Sequence, residues 1–349
     1  MEAEYGNVSP VFVVGIVRSG TTLMSSMLSA HPAIAIAPDI NYIYGWVQRY
    51  RRLQLLQPAD FERFWKGFSG AKRFGYLGID ADAVRQRIEA NQRYSFRGVY
   101  ISTLETFAES LRKRRWGEKT PHTADHLETL FSWFPDARVI YMLRDPRAVV
   151  SSLRKTPMGA EISVHAHALS WADGVGRALA AEADPRILRV RYEALVHEPT
   201  EVLEHVCRFL GEVYSPDMLH GRHVLLTSTL RGRQGWEKEH ISAALRPVHE
   251  LSVEKWKNEL EPVEVDVIEH FCRCAMQQAG YSPVGNPLPV GRQARLFVEA
   301  RAVQLSQRVR QSSAGRICRR ILRNLKTAGV QVSAGRWFTK IGRYPEDTS

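Results

Sequence analysis

The 349-residue sequence predicts an α/β fold of the phosphate-loop (P-loop) type: three layers, a central parallel sheet flanked by helices, with a helical insertion and a basic helical tail. Two segments carry that expectation. Residues 11–22 read VFVVGIVRSGTT, an apolar strand, then a loop opened by Gly15 and closed by Gly20, then two threonines leading into the helical pattern LMSSMLSAH. Residues 138–153 read RVIYMLRDPRAVVSSL. Here a second apolar run of strand length is followed by Asp145 as N-cap and Pro146 as first helical residue. Strands that alternate with helices in this way build parallel sheets.

The first loop has the spacing GxxxxGK[ST], with Thr21 where a phosphate-gripping lysine would stand and Arg18 supplying a cation from inside the loop. The two glycines let backbone N–H groups point into one anion, and the following helix adds its positive end. A magnesium-bound triphosphate asks for a lysine on its outer oxygens and a hydroxyl on the metal. Only the hydroxyl is present, so the loop suits a phosphate ester that needs no metal. A bare strand-to-helix turn would also use Gly15 and Gly20, but the strand before and helix after favour an anion site.

In the second segment Arg144 stands at the strand's carboxyl end, and Ser152 lies about two turns into the helix. Ligands of open parallel sheets collect beyond the carboxyl ends of the strands. Two anion sites in one crevice imply one ligand with two separated phosphate-like groups.

This combination resembles the sulfotransferase family, in its bacterial and tyrosylprotein branches, whose donor is 3′-phosphoadenosine 5′-phosphosulfate. The resemblance implies that Arg18, Ser19, Gly20, Thr21 and Thr22 cradle the 5′ end and that Arg144 and Ser152 bind the 3′-phosphate. Further matches run through most of residues 8–280. His31-Pro32 follows the first helix; WGEKTP at 116–121 resembles the K-x-P element, with Lys119 near the transferring group. RVRYEALVHEP at 189–199 resembles the YExL element, with Tyr192 near the nucleotide, and 246–260 resembles the late loop, with Arg246 as the donor contact. Tyr192 also suits a core tyrosine. In the tyrosylprotein branch a glutamate after His-Pro acts as base; the matching position here is Asp39, one methylene shorter. Its alternatives are a helix cap following Pro38, with His122 as base, or a phenol-like acceptor that needs little help. The implied reaction is metal-independent in-line sulfuryl transfer to a hydroxyl acceptor, which the sequence leaves open among small molecule, lipid, sugar and peptide tyrosine. Two rivals stand beside it: a kinase of a small hydroxyl substrate with Asp145 holding magnesium, and a non-catalytic nucleotide-binding protein.

The expected organisation is a catalytic domain over 8–290, its acceptor-side insertion at about 40–115, and a tail over 291–349. Thirteen of the 33 aromatic residues fall between Tyr42 and Tyr100, which builds either an apolar acceptor pocket or the core of a helical subdomain. Trp171 is a weaker candidate for the same cleft. From Gly291 onward thirteen Arg or Lys face three acids, which is +10 of the chain's +11. Apolar residues there recur at helical spacing, Leu296, Ala300 and Val303, then Ile317, Ile321 and Leu325. Such a basic amphipathic segment can fold back on the domain, bind an acidic partner or lie on an anionic membrane surface. It matches no nucleic-acid-binding module, so nucleic acid is not an expected partner. The N-terminus has neither a basic start nor an apolar signal run, and no apolar run spans a membrane, so a cytoplasmic location, peripheral to the membrane at most, is expected. The four cysteines, Cys207, Cys272, Cys274 and Cys318, lack metal-ligand spacing and read as reduced thiols.

Overall fold

The computed structural model describes residues 9–157, 159–180, 183–220, 251–285 and 291; Arg246 and the basic tail after Gly291 lie outside them. Five strands, β1 (Val11–Gly15), β2 (Ile34–Ala37), β3 (Arg115–Lys119), β4 (Arg138–Leu143) and β5 (Ile187–Arg191), form one sheet in the order β2-β3-β1-β4-β5. Every pairing is parallel, as the sequence predicts.

β1 sits at the centre, and all five of its residues are buried. A strand covered on both faces needs a continuous apolar run, and alternation then sends neighbours to opposite sides. Val11 and Val13 pack with Met24, Met27 and Leu28 of helix α1 (Thr21–Ala30), and with Leu203 and Val206 of the helix Pro199–Leu210. Phe12 turns the other way, onto Tyr100, Trp116 and Phe134.

Between β2 and β3 the chain passes through a π-helical turn, Tyr42–Val47, and the helices Pro58–Ser69, Ala81–Ala90 and Phe96–Ser110. The aromatic residues of this stretch face one another. Tyr42 stacks on Tyr100 at 4.6 Å and meets Phe68 edge-on at 5.0 Å, while Phe64 meets Phe96 at 5.2 Å. Tyr42, Phe64, Phe68 and Tyr100 are fully buried, so of the two uses the sequence allowed, these rings serve as core. Tyr44 is an exception at 43% exposed.

The chain divides into two compact units. The described residues of 9–145, 174–220 and 251–255 form the first, which holds the whole sheet; those of 146–173 and 256–285 belong to the second. Within the second, Arg147 pairs with Glu269 at 2.7 Å and covers the Trp256 ring at 4.2 Å. Trp171 is fully buried there against Tyr281, which makes it a core residue and not the lining of a cleft. Among the described residues no helix is long and apolar enough to cross a membrane.

Candidate active site

Because all five strands are parallel, their carboxyl ends share one edge of the sheet, and each leads directly to a residue singled out from the sequence. Read across the sheet, that edge presents Asp39 after β2, Lys119 ending β3, the Arg18–Thr22 loop after β1, Arg144 after β4 and Tyr192 after β5. The site is thus a row of strand ends, with the loop at its centre.

The loop is shaped by its backbone. Gly15 and Gly20 have φ of 142° and 89°, and a Cβ at either would overlap the Met142 carbonyl oxygen of β4 or the Tyr192 ring, respectively. Arg18 also takes a left-handed φ, 75°, which costs a side-chain-bearing residue about 1–2 kcal/mol. Residues held in such conformations cluster at ligand clamps and active sites. Gly20 caps α1 with no side-chain hydrogen bond, and no acid stands in the helix's first turn, so the helix's own sequence places no carboxylate at this positive end. Ser19 is fully buried and its Oγ has no hydrogen-bond partner among the described residues. A buried hydroxyl left unsatisfied is costly, and an anion oxygen in the loop would satisfy it.

Arg144 joins the loop from β4. Its Nη1 donates to the Arg18 carbonyl at 3.1 Å, and its guanidinium lies 4.3 Å from the centre of the Tyr192 ring. Burial and then the nearby Arg144 charge lower the Arg18 guanidinium to about 10, against a small opposing effect of Tyr192. Two cations crowded in this way favour an anion between them. Tyr192 is placed by its neighbour Glu193, whose carboxylate accepts the Asp145 N–H at 2.9 Å and so ties the end of β5 to the end of β4. Ser152 belongs to the second unit, on the helix Pro146–Arg154, and Arg246 lies outside the described residues, so this cluster rests on the first unit alone.

On the other side of the loop stands Asp39. Its Oδ2 pairs with Arg73 at 3.0 Å, and its Oδ1 accepts from the Asn41 N–H at 2.9 Å, an Asx turn ahead of the π-helical segment. Burial pushes this carboxyl up, but Arg73, Lys119, the Asn41 amide and His122 together hold it below its ordinary 3.8. It is therefore ionised at neutral pH, beside a lysine. His122 stacks at 4.9 Å on the exposed Tyr44, and the two rings stand at the same end of the molecule as the Asp39 carboxylate.

A profile of the Sulfotransferase family matches residues 10–216, which contain every element of this row. The chain belongs to the sulfotransferase family. Protein-tyrosine sulfotransferase 2 of Gallus gallus is 25% identical over 314 residues, covering 85% of this chain and 76% of that protein. Nodulation protein NoeE of Sinorhizobium fredii is 29% identical over 289 residues, covering 75% and 64%. Among solved structures, the sulfotransferase domain of the curacin biosynthetic pathway superposes with a TM-score of 0.54 at 21% identity, over 79% of this chain and 99% of that one. That likeness shows the shared fold.

In this sulfotransferase three acids and bases close to the row escaped the sequence. Arg73 reaches Asp39 from 34 residues away, and nothing local to either residue signals the pair. Glu193 lies inside the YExL element, directly after Tyr192, and that adjacency was the available signal. Glu118 lies inside WGEKTP; it is 1% exposed, and a charged residue in the middle of a central strand is the signal that it is bonded to something.

Proposed function

We propose that this sulfotransferase moves a sulfuryl group from 3′-phosphoadenosine 5′-phosphosulfate to a hydroxyl of its acceptor. The observation that carries this reading is the crowding of Arg18 and Arg144 on the lysine-less loop, beside an α1 whose first turn holds no acid and a buried Ser19 hydroxyl with no partner among the described residues. Arg18, Ser19, Gly20, Thr21 and Thr22 would hold the 5′-phosphosulfate, and Arg144 with Ser152 the 3′-phosphate. Tyr192 would flank the nucleotide, with Arg246 as a further contact.

The chemistry divides along the sheet edge. The S–O bond to the donor phosphate breaks while an S–O bond to the acceptor oxygen forms, the hydroxyl proton passes to Asp39, and adenosine 3′,5′-bisphosphate leaves. Arg18, Lys119 and the loop N–H groups meet the charge that grows on the departing phosphate, which is where fixed donors accelerate transfer most. Lys119 ends β3 and Asp39 follows the neighbouring β2 by two residues, so base and cation stand beside each other at the sheet edge. Protein-tyrosine sulfotransferases among the relatives support a hydroxyl acceptor of the peptide tyrosine kind. Incubation with sulfur-labelled donor and a host extract, followed by mass spectrometry, tests the reading. A labelled species heavier by one sulfuryl group is expected; label that is lost only to free sulfate, or phosphate transferred from ATP, would overturn it.

A further inference from the structure

We propose that Glu118 is a positioning residue for Asp39: held as the neutral acid, it donates to the Thr120 hydroxyl, which turns its single proton onto the Asp39 carboxylate. The proposal rests on the reading of Asp39 as base.

The geometry poses a counting problem. Thr120 Oγ1 lies 2.5 Å from Glu118 Oε1 and 3.3 Å from Asp39 Oδ1. A hydroxyl carries one hydrogen, so it cannot donate to two carboxylates at once. If both acids were ionised, one of these contacts would set a lone pair against a negative oxygen. A proton on Glu118 resolves it: the acid donates to Thr120 and Thr120 donates to Asp39. Every group then has a role, because Tyr100 donates its O–H to Glu118 Oε2 and the Ile40 N–H reaches Oε1 at 3.2 Å.

The surroundings divide the two acids. Asp39 faces cations, Arg73 and Lys119, with His122 beyond. Glu118 is buried, faces the phenol of Tyr100, itself stacked on Tyr42, and has no ion-pair partner among the described residues. Burial pushes the Glu118 carboxyl up to about 7, and the Asp39 charge adds to this, against the hydrogen bonds from Thr120, Tyr100 and Ile40. Two carboxyls driven in opposite directions around one hydroxyl divide into a proton holder and a charge holder. Loss of the Glu118 proton would draw the Thr120 hydroxyl to the new charge, leave Asp39 without that donor and loosen its aim.

Infrared difference titration of the full chain reads the proton on Glu118 without any turnover. A protonated-carboxyl band lost near neutrality in the wild type, and missing from E118Q, is expected. Sulfuryl transfer to a tyrosine-containing peptide as probe should then fall as pH rises through the same point. E118Q, whose amide N–H serves Thr120 at every pH, should lose that alkaline limb. T120V should transfer roughly 10- to 100-fold more slowly across the pH range, because the base is no longer aimed, and T120S should restore the rate. An ionised Glu118 throughout, or an unchanged alkaline limb in E118Q, would overturn the proposal. The predicted titration in a protein that binds no adenosine bisphosphate would leave the hydrogen-bonded chain standing and overturn the sulfotransfer reading instead.

Discussion

At the scale of single residues, the proposed roles divide the row of strand ends into binding and chemistry, and substitutions test the division. Arg144→Ala should weaken binding of adenosine 3′,5′-bisphosphate and leave the rate at saturating donor little changed, because its contact exists before and after transfer. Lys119→Ala should do the reverse, lowering turnover roughly 10²-fold with donor affinity nearly intact; calorimetry and steady-state kinetics on the two variants check the split. Asp39→Asn keeps size and hydrogen bonding but takes no proton, so turnover should fall by roughly 10² while the bisphosphate still binds. Since Arg73 and Lys119 hold Asp39 below 3.8, its acidic limb should lie below the ordinary carboxylate range. An acidic limb that vanishes in His122→Ala and persists in Asp39→Asn would move the base to His122. Glu118 makes a stability prediction of its own. Its carboxyl is raised in the fold from 4.5 to about 7, so its favourable contribution is complete below about pH 4.5 and is lost as pH rises to about 7. The wild type should therefore lose on the order of 3 kcal/mol relative to E118Q across that window, since each tenfold change in proton affinity is worth about 1.4 kcal/mol. Urea denaturation at a series of pH values measures the difference, and a flat difference would contradict a neutral Glu118.

At the scale of elements, the loop was legible because its information is local. Gly15 and Gly20 sit between an apolar strand and a helical pattern, and their positive φ angles follow from that short stretch alone. Gly20→Ala is accordingly expected to cost at least about 1–2 kcal/mol of stability from its φ, and to displace Tyr192, against whose ring the new methyl would press. Weaker bisphosphate binding in a still-folded G20A protein checks this. Other elements were legible as motifs but not as roles. His31-Pro32 is part of the resemblance read from the sequence, and in the fold His31 acts as a clamp: Nε2 lies 2.8 Å from the Val213 carbonyl oxygen and Nδ1 accepts the Ala33 N–H at 3.1 Å. The aromatic stretch after β2 had the composition of a pocket and the fate of a core, because composition does not say which rings face one another. Arg73, arriving from a separate short helix, shows the same limit for charge: pairing across 34 residues depends on a fold that neither sequence neighbourhood encodes.

At the scale of the whole molecule, parallel topology brings five separate strand ends to one edge of the sheet, and strand order decides which side is which. β3 and β2 put Lys119 and Asp39 on one side of the loop, while β4 and β5 put Arg144 and Tyr192 on the other. Residues 291–349 carry +10 of the net charge and none of the residues in that row. Removing them should leave bisphosphate affinity in place, while any sedimentation with anionic vesicles shown by the full chain should weaken; loss of nucleotide binding in a folded truncation would show that the tail belongs to the site. On the proposed reading the lysine-less loop and Arg144 together bind one nucleotide with two separated phosphates and need no magnesium. Thermal unfolding of the full chain, titrated with adenosine 3′,5′-bisphosphate in chelator and separately with magnesium-ATP, tests it most directly. We expect the bisphosphate to stabilise the protein, by about 2.7 kcal/mol at a hundredfold excess over its dissociation constant, and the effect to be reduced in Arg144→Ala; stabilisation by magnesium-ATP with none by the bisphosphate would contradict the claim.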